Sequence, residues 1–236
     1  MLTQAIILAG GFGTRLQTVV SDVPKPMAPV NGKPFLDYML GYLHHFGIKS
    51  IVLSTGYLSH KITEHYGSSY KGISIAYTRE ETPLGTGGGI RLAMEQCTAK
   101  HVLVMNGDSF FDIDLNTFYN QHGSFHADCS LALRHVDDAA RYGTIKLGDM
   151  GVIKKFREKD GLHQPGIINA GVYLIRRDVF LAKTPAGQAF SIEKDFYEQR
   201  LNELNIFGFE QQGYFIDIGI PEDYTQAQDD FKRFAY

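Results

Sequence analysis

Between Ala5 and His122, short apolar runs alternate with longer segments whose apolar residues recur at helical spacing. This rhythm restricts the fold more than any other feature of the chain. Ala5–Leu8, Lys49–Leu53, Ile73–Tyr77 and Val102–Met105 read as strands, and Pro34–Phe46, Leu58–Tyr66, Gly87–Gln96 and Leu115–His122 read as helices. In the first helix the apolar residues are Phe35, Tyr38, Met39, Tyr42, Leu43 and Phe46, and Gly47 is a natural stop. Strands alternating with helices imply right-handed βαβ units, hence a Rossmann-like α/β fold with a mostly parallel sheet flanked by helices. After about Asp128 the rhythm changes. Cys129–His135, Thr144–Leu147, Val152–Phe156 and Gly171–Ile175 read as shorter strands, and helices return at Ser191–Glu203 and Pro221–Phe234. The second half therefore reads as extra strands and a lid grafted onto the first. With 236 residues and 44% apolar content, a single domain over 1–236 is expected, its halves meeting near residues 127 and 128.

A net charge of −3 gives no global reason to expect a nucleic acid or an anionic membrane as partner. Cys97 and Cys129 stand outside any metal-binding spacing and read as free intracellular thiols. The run Ala5–Ala9 is too short for the apolar segment of a signal peptide, and no stretch approaches the ~20 apolar residues that span a bilayer. A cytoplasmic protein with no appended domain is expected; a homo-oligomer stays open.

The first strand runs into Leu8-Ala9-Gly10-Gly11-Phe12-Gly13-Thr14-Arg15-Leu16. Glycines here let backbone N–H groups approach an anion, and Arg15 adds a fork of donors suited to phosphate. The dinucleotide pattern GxGxxG fails, because counting from Gly11 the third glycine position is Leu16; Walker A fails for want of a GK[ST]. Lys25 follows between Pro24 and Pro26, which stiffen the backbone around it. Two further segments share one design, an apolar strand ending in Asp. These are Val102–Met105 leading through Asn106-Gly107 to Asp108, and Tyr214-Phe215-Ile216 leading to Asp217 and Gly219. Ligands of open α/β sheets bind at such strand ends, and two carboxylates there could share a hard cation. Asp112 and Asp114 read instead as turn and helix-cap residues before Leu115.

The glycine-rich loop followed by Pro24-Lys25-Pro26-Met27 resembles the signature of the sugar-phosphate nucleotidyltransferases. That family includes glucose-1-phosphate thymidylyltransferases and mannose-1-phosphate guanylyltransferases. The resemblance implies transfer of a nucleoside monophosphate from an NTP to a sugar 1-phosphate, with Mg²⁺ and release of pyrophosphate. It places Leu8, Ala9, Gly10, Gly11, Gly13, Thr14 and Arg15 around the triphosphate, Lys25 on the phosphate under attack, and the metal on Asp108 and Asp217. Arg15, Lys25 and Asp108 are the catalytic candidates, with Gly107 leaving room for the nucleotide. It places Glu80, Gly85 and Thr86 at the base. It lines the sugar-phosphate site with Gly143, Glu158, Lys159 and Asn169. Asp160 stands where family members often carry Pro.

Glu80 offers only acceptors, and guanine presents two adjacent N–H donors, so a base-reading Glu80 implies GTP; a solvated glutamate is the competing reading. Segments such as Pro83-Leu84-Gly85-Thr86-Gly87-Gly88 and Phe215-Ile216-Asp217-Ile218-Gly219-Ile220-Pro221 look like the subgroup that guanylylates heptose 1-phosphates. Mannose 1-phosphate with GTP and N-acetylmuramate 1-phosphate with UTP stay open. A non-catalytic regulatory member of the superfamily would have lost charged site residues, whereas Arg15, Lys25, Asp108 and Asp217 are all present.

Overall fold

The computed structural model describes residues 1–11, 16, 19–20, 22–157 and 161–236. In chain order, β1 (Gln4–Ala9) leads through a 3-10 turn at Lys25–Met27 and the hairpin β2 (Pro29–Val30) and β3 (Lys33–Pro34) into α1 (Phe35–His45). There follow β4 (Ser50–Thr55), α2 (Ser59–Tyr66), β5 (Ser69–Tyr70), β6 (Ile73–Arg79), α3 (Gly85–Met94), β7 (His101–Asn106), β8 (Ser109–Phe111) and α4 (Leu115–Ser124). The second half contributes β9 (Cys129–Val136), β10 (Thr144–Leu147), β11 (Ile153–Arg157), β12 (Gly166–Arg176), α5 (Arg177–Lys183), β13 (Ile206–Glu210), β14 (Phe215–Asp217) and α6 (Pro221–Asp230).

Among the described residues the main sheet has ten strands, with β11-β10-β12-β7-β1-β4-β6-β5 in one path and β9, carrying β13, paired to β12. Its centre, β7-β1-β4-β6, is parallel. The crossover through α1 carries the chain from β1 to β4 on one side, and the crossover through α3 returns it to β7 on the other. Strand order therefore reverses between β1 and β7, and their carboxyl ends open a crevice, the usual ligand position in such sheets.

Alternation along the strands explains why they read as unbroken apolar runs. Ile6, Val52, Val102 and Val104 pack with Ile90, Ala93 and Met94 of α3 on one face. Ala5, Ile7, Ile51, Leu53, Leu103 and Met105 pack with α1, α2, α4 and α6 on the other. A strand covered on both faces needs apolar side chains at every position. Asp114 caps α4 by accepting the Thr117 N–H at 2.6 Å, as its sequence position suggests. Cys97 and Cys129 are free and buried, and burial pushes the Cys97 thiol up to about 11. No helix among the described residues is long and apolar enough to cross a membrane.

The extra strands of the second half join the first through the same sheet, since β12 pairs antiparallel with β7 from Val172 to Arg176. One expectation needs correction. Ser191–Glu203 is not one α-helix. It is a wide π-type turn at Ile192–Tyr197 followed by a 3-10 turn at Glu198–Arg200. Phe196 and Tyr197 are both buried. Phe196 meets Phe180 edge-on and Tyr197 stacks on Phe156. The strand β13 and the helix α5 lie outside the segments that the sequence periodicity marks.

Candidate active site

Gly107 brings the ends of β1 and β7 together. Its N–H donates to the Leu8 carbonyl at 2.9 Å, and a Cβ at this position would lie 2.4 Å from that oxygen. One residue before Gly107, Asn106 is the direct sheet partner of Leu8. Each lines a different pocket. On the β4 side a cleft of about 410 Å³ is bounded by Leu8, Gly10, Gly11, Tyr57, Glu80 and Thr86, among others. On the β12 side a second pocket of about 320 Å³ is lined by Asn106, Arg141, Gly143, Arg157, Asn169 and Glu193, among others. The seam between β1 and β7 is thus the border of two concave sites.

Just beyond the seam, three charged side chains from separate parts of the chain converge. Lys25 Nζ lies 2.7 Å from Asp108 Oδ2 and 3.6 Å from Asp217 Oδ1. Pro24 and Pro26 are buried and anchor the lysine's short turn from below. The Asp108 carbonyl accepts the Ile218 N–H at 3.0 Å, and β8 pairs with β14 so that Ser109 faces Asp217. The Gly219 N–H in turn holds Asp217 Oδ1 at 2.7 Å. Two carboxylates around one ammonium form a site of hard oxygen donors that requires positive charge between them. Among the described residues no group of three or more His, Cys, Asp or Glu side chains could hold a metal. A divalent cation here would therefore take its remaining ligands from phosphate and water, which suits a hard cation.

Glu80 reaches the larger cleft with commitments of its own. Its Oε2 accepts the Leu84 N–H at 2.8 Å, and its Oε1 lies 3.5 Å from Ser54 Oγ. It thus braces the loop that opens α3 while bordering the cleft. Gly85 and Thr86 border the same space. Gly87 and Gly88 do not: a Cβ on Gly87 would lie 2.2 Å from the Phe190 ring, and one on Gly88 would lie 2.6 Å from the Gln188 carbonyl. These glycines permit the segment before Ser191 to pack against the loop.

In the second pocket Asn169 sits at the irregularity of β12, where Gly171 takes φ +73° and pairing with β9 shifts. Its Nδ2 donates to Tyr173 Oη at 2.7 Å. Burial foremost, then the charge of Glu193, holds the Tyr173 phenol well above its usual pKa, so the hydroxyl stays a donor. Gly143 lines this pocket by its backbone. Arg141 stands at its edge, paired with Asp223 of α6 at 2.7 Å. Burial alone lowers the Arg141 pKa, but the Asp223 hydrogen bond and the charges of Tyr142, Asp223 and Asp217 raise it on balance. Gly13, Thr14, Arg15, Glu158 and Lys159 lie outside the described residues. Leu8, Gly10, Gly11, Glu80, Gly85 and Thr86 gather at one pocket, and Gly143 and Asn169 at the other. Ala9 and Gly107 frame the seam, and Lys25, Asp108 and Asp217 meet beside it. Arg141, Glu193 and Tyr57 line these pockets without a signal in the sequence, since an isolated charge or aromatic carries no positional information.

The family model described as nucleotidyl transferase matches residues 4–233. The chain belongs to this family. The nucleotidyltransferase is 45% identical over 231 residues to D-glycero-alpha-D-manno-heptose 1-phosphate guanylyltransferase of Aneurinibacillus thermoaerophilus, covering 98% of this chain and 99% of that protein. It is 34% identical to the mannose-1-phosphate guanylyltransferase of Mycobacterium tuberculosis, covering 97% of this chain and 64% of that one. Among solved structures, HddC from Yersinia pseudotuberculosis complexed with GMP-PN matches this nucleotidyltransferase with a TM-score of 0.84 at 35% identity. That match covers 98% of this chain and all of the other.

Proposed function

We propose that this nucleotidyltransferase moves GMP from GTP to a heptose 1-phosphate of the D-glycero-α-D-manno configuration, releasing pyrophosphate in the cytoplasm. The observation that carries the reading is the shared border of the two pockets at the Leu8–Asn106 pairing, with Lys25, Asp108 and Asp217 beside it. The relatives named above support the choice of sugar and nucleotide.

The larger cleft takes GTP. Gly10 and Gly11 turn backbone N–H groups to the triphosphate, with Gly13, Thr14 and Arg15 assigned there from the sequence motif. The base enters between Glu80, Gly85 and Thr86. A carboxylate has about four lone-pair sites, so Glu80 can hold the Leu84 N–H and still accept from guanine. The second pocket takes the sugar phosphate, with the Gly143 backbone, Asn169 and Glu158 facing hydroxyls and Lys159 the phosphate. An oxygen of that phosphate attacks the α-phosphorus, a P–O bond forms, and the bond to the β-phosphate breaks with pyrophosphate as leaving group. Both reactants are anions, so the chain's work is to hold them together and neutralise charge. Lys25 delivers its ammonium to the phosphate under attack. Mg²⁺ bound by Asp108 and Asp217 would supply further positive charge to the same phosphate oxygens.

The test is a matrix of GTP, ATP, UTP, CTP and dTTP against heptose, mannose, glucose and N-acetylmuramate 1-phosphates, read as pyrophosphate release. The highest kcat/KM is expected for GTP with the heptose 1-phosphate. A maximum with mannose 1-phosphate would move the sugar assignment, and a maximum with UTP would overturn the guanylyl assignment.

A further inference from the structure

Glu193 stands in the wall between the two pockets, and its two carboxylate oxygens face different partners. Oε2 accepts from Thr86 Oγ at 3.4 Å and from Ser191 Oγ at 3.2 Å. Oε1 accepts from Tyr173 Oη at 3.1 Å and from Asn169 Nδ2 at 3.3 Å. Thr86 borders the larger cleft, while Asn169 and Glu193 line the second pocket.

The partners on each side are themselves oriented. Thr86 Oγ accepts the Ile192 N–H at 3.0 Å, which leaves its hydroxyl proton for Glu193. Asn169 Oδ1 accepts the Gly171 N–H at 3.1 Å, which turns the amide nitrogen toward Glu193 and Tyr173. Tyr173 is fully buried and has no freedom to follow a displaced carboxylate. The backbone adds a second tie. Gly87 N–H donates to the Phe190 carbonyl at 2.9 Å and Phe190 N–H to the Leu84 carbonyl at 3.0 Å. The segment that carries Glu193 is therefore fastened to the loop that borders the nucleotide cleft.

We infer that Glu193 is a positioning residue that couples the two pockets: nucleotide seated against Gly85 and Thr86 fixes the Glu193 carboxylate, which presets Asn169 for the sugar phosphate. The ligands named rest on the proposed function. A group ordered by the first ligand no longer has to be ordered by the second, so each ligand tightens the other by the same factor.

The experiment is calorimetric titration of D-glycero-α-D-manno-heptose 1-phosphate into the protein in Mg²⁺ buffer. It is run with and without guanosine 5′-(α,β-methylene)triphosphate, whose α–β linkage cannot be cleaved. Wild type should bind the sugar phosphate at least ~5-fold tighter with the analogue present, the lower end of couplings between sites. Thr86→Val removes the hydroxyl from an exposed side chain and should bring the ratio to about 1. Glu193→Asp keeps the charge but is one methylene too short to span both partners, and should do the same. If Glu193→Asp fails the thermal-unfolding control, Thr86→Val decides. A wild-type ratio near 1, or a folded variant that keeps the wild-type ratio, would overturn the inference alone. Nucleotide binding with no sugar-phosphate binding in wild type would overturn the functional reading and the inference with it.

Discussion

Lys25 Nζ lies 2.7 Å from Asp108 Oδ2, so an ammonium from a proline-braced turn sits against a carboxylate 83 residues further along the chain. With Asp217 3.6 Å away on the other side, the lysine offsets part of the repulsion between two acidic groups. In the proposed complex a divalent cation would give the carboxylates a second positive partner. The ammonium would then be available to the phosphate.

That relationship makes Lys25→Met informative, because the apolar stem stays and only the charge goes. kcat should fall at least ~10²-fold, more than KM for GTP rises, if the charge acts mainly on the transition state. Steady-state kinetics with saturating heptose 1-phosphate checks this. A change confined to KM would make Lys25 a ground-state binder.

Asp108→Ala and Asp217→Ala should each lower turnover at least ~10²-fold. Both side chains are partly open, at 41% and 21% exposure, so circular dichroism should show folded proteins. Asp217→Ala also releases the Gly219 N–H and should be the less stable of the two by about 1 kcal/mol. Near-normal Mg²⁺-dependent activity in either folded variant would remove that aspartate from the metal assignment.

Glu80 has a bracing bond to Leu84 whether or not it reads the base. Wild type should prefer GTP over UTP by at least ~10-fold in kcat/KM, since an unpaired acceptor costs about 1–3 kcal/mol. Glu80→Gln can keep the Leu84 bond with its amide oxygen and present an NH₂ to the base, so the GTP/UTP ratio should shrink. An unchanged ratio at normal stability would leave Glu80 as a loop brace only.

Stability should fall in mild acid for a reason remote from the active site. His122 is buried between His101 Nδ1 at 2.7 Å and Ser130 Oγ at 2.8 Å. Burial first, then the charges of His101 and Arg176, lower its pKa from 6.5 to about 4. The neutral ring is the folded form, while the unfolded chain binds a proton near 6.5. The contribution is therefore complete above that pH and is lost as pH falls toward 4. Urea unfolding should give a stability about 2 kcal/mol lower at pH 5 than at pH 7.5 from this residue. His122→Asn should flatten the pH slope; an unchanged slope would exclude His122 as its source.

The βαβ rhythm, the strand-end aspartates and the two glycine-rich loops are legible along the chain, because each arises from neighbours a few residues apart. A strand covered on both faces must be apolar at successive positions, as Ile6 and Ile7 are, one facing α3 and the other α1. A phosphate loop must likewise place its glycines next to one another. Other features depend on segments that meet only when the sheet closes. Nothing near Lys25 in the chain announces Asp108, and nothing near Thr86 announces Glu193, 107 residues away. Gly87 and Gly88 continue a glycine-rich run, yet only the tertiary structure shows that they serve the close approach of Phe190 and Gln188. Ser191–Glu203 carries a helical pattern, but its first turn is widened where Phe196 packs on Phe180 and Tyr197 on Phe156. Local periodicity sets which segments are strands and helices. Long-range packing sets which side chains share a pocket, since that depends on the order in which strands enter the sheet.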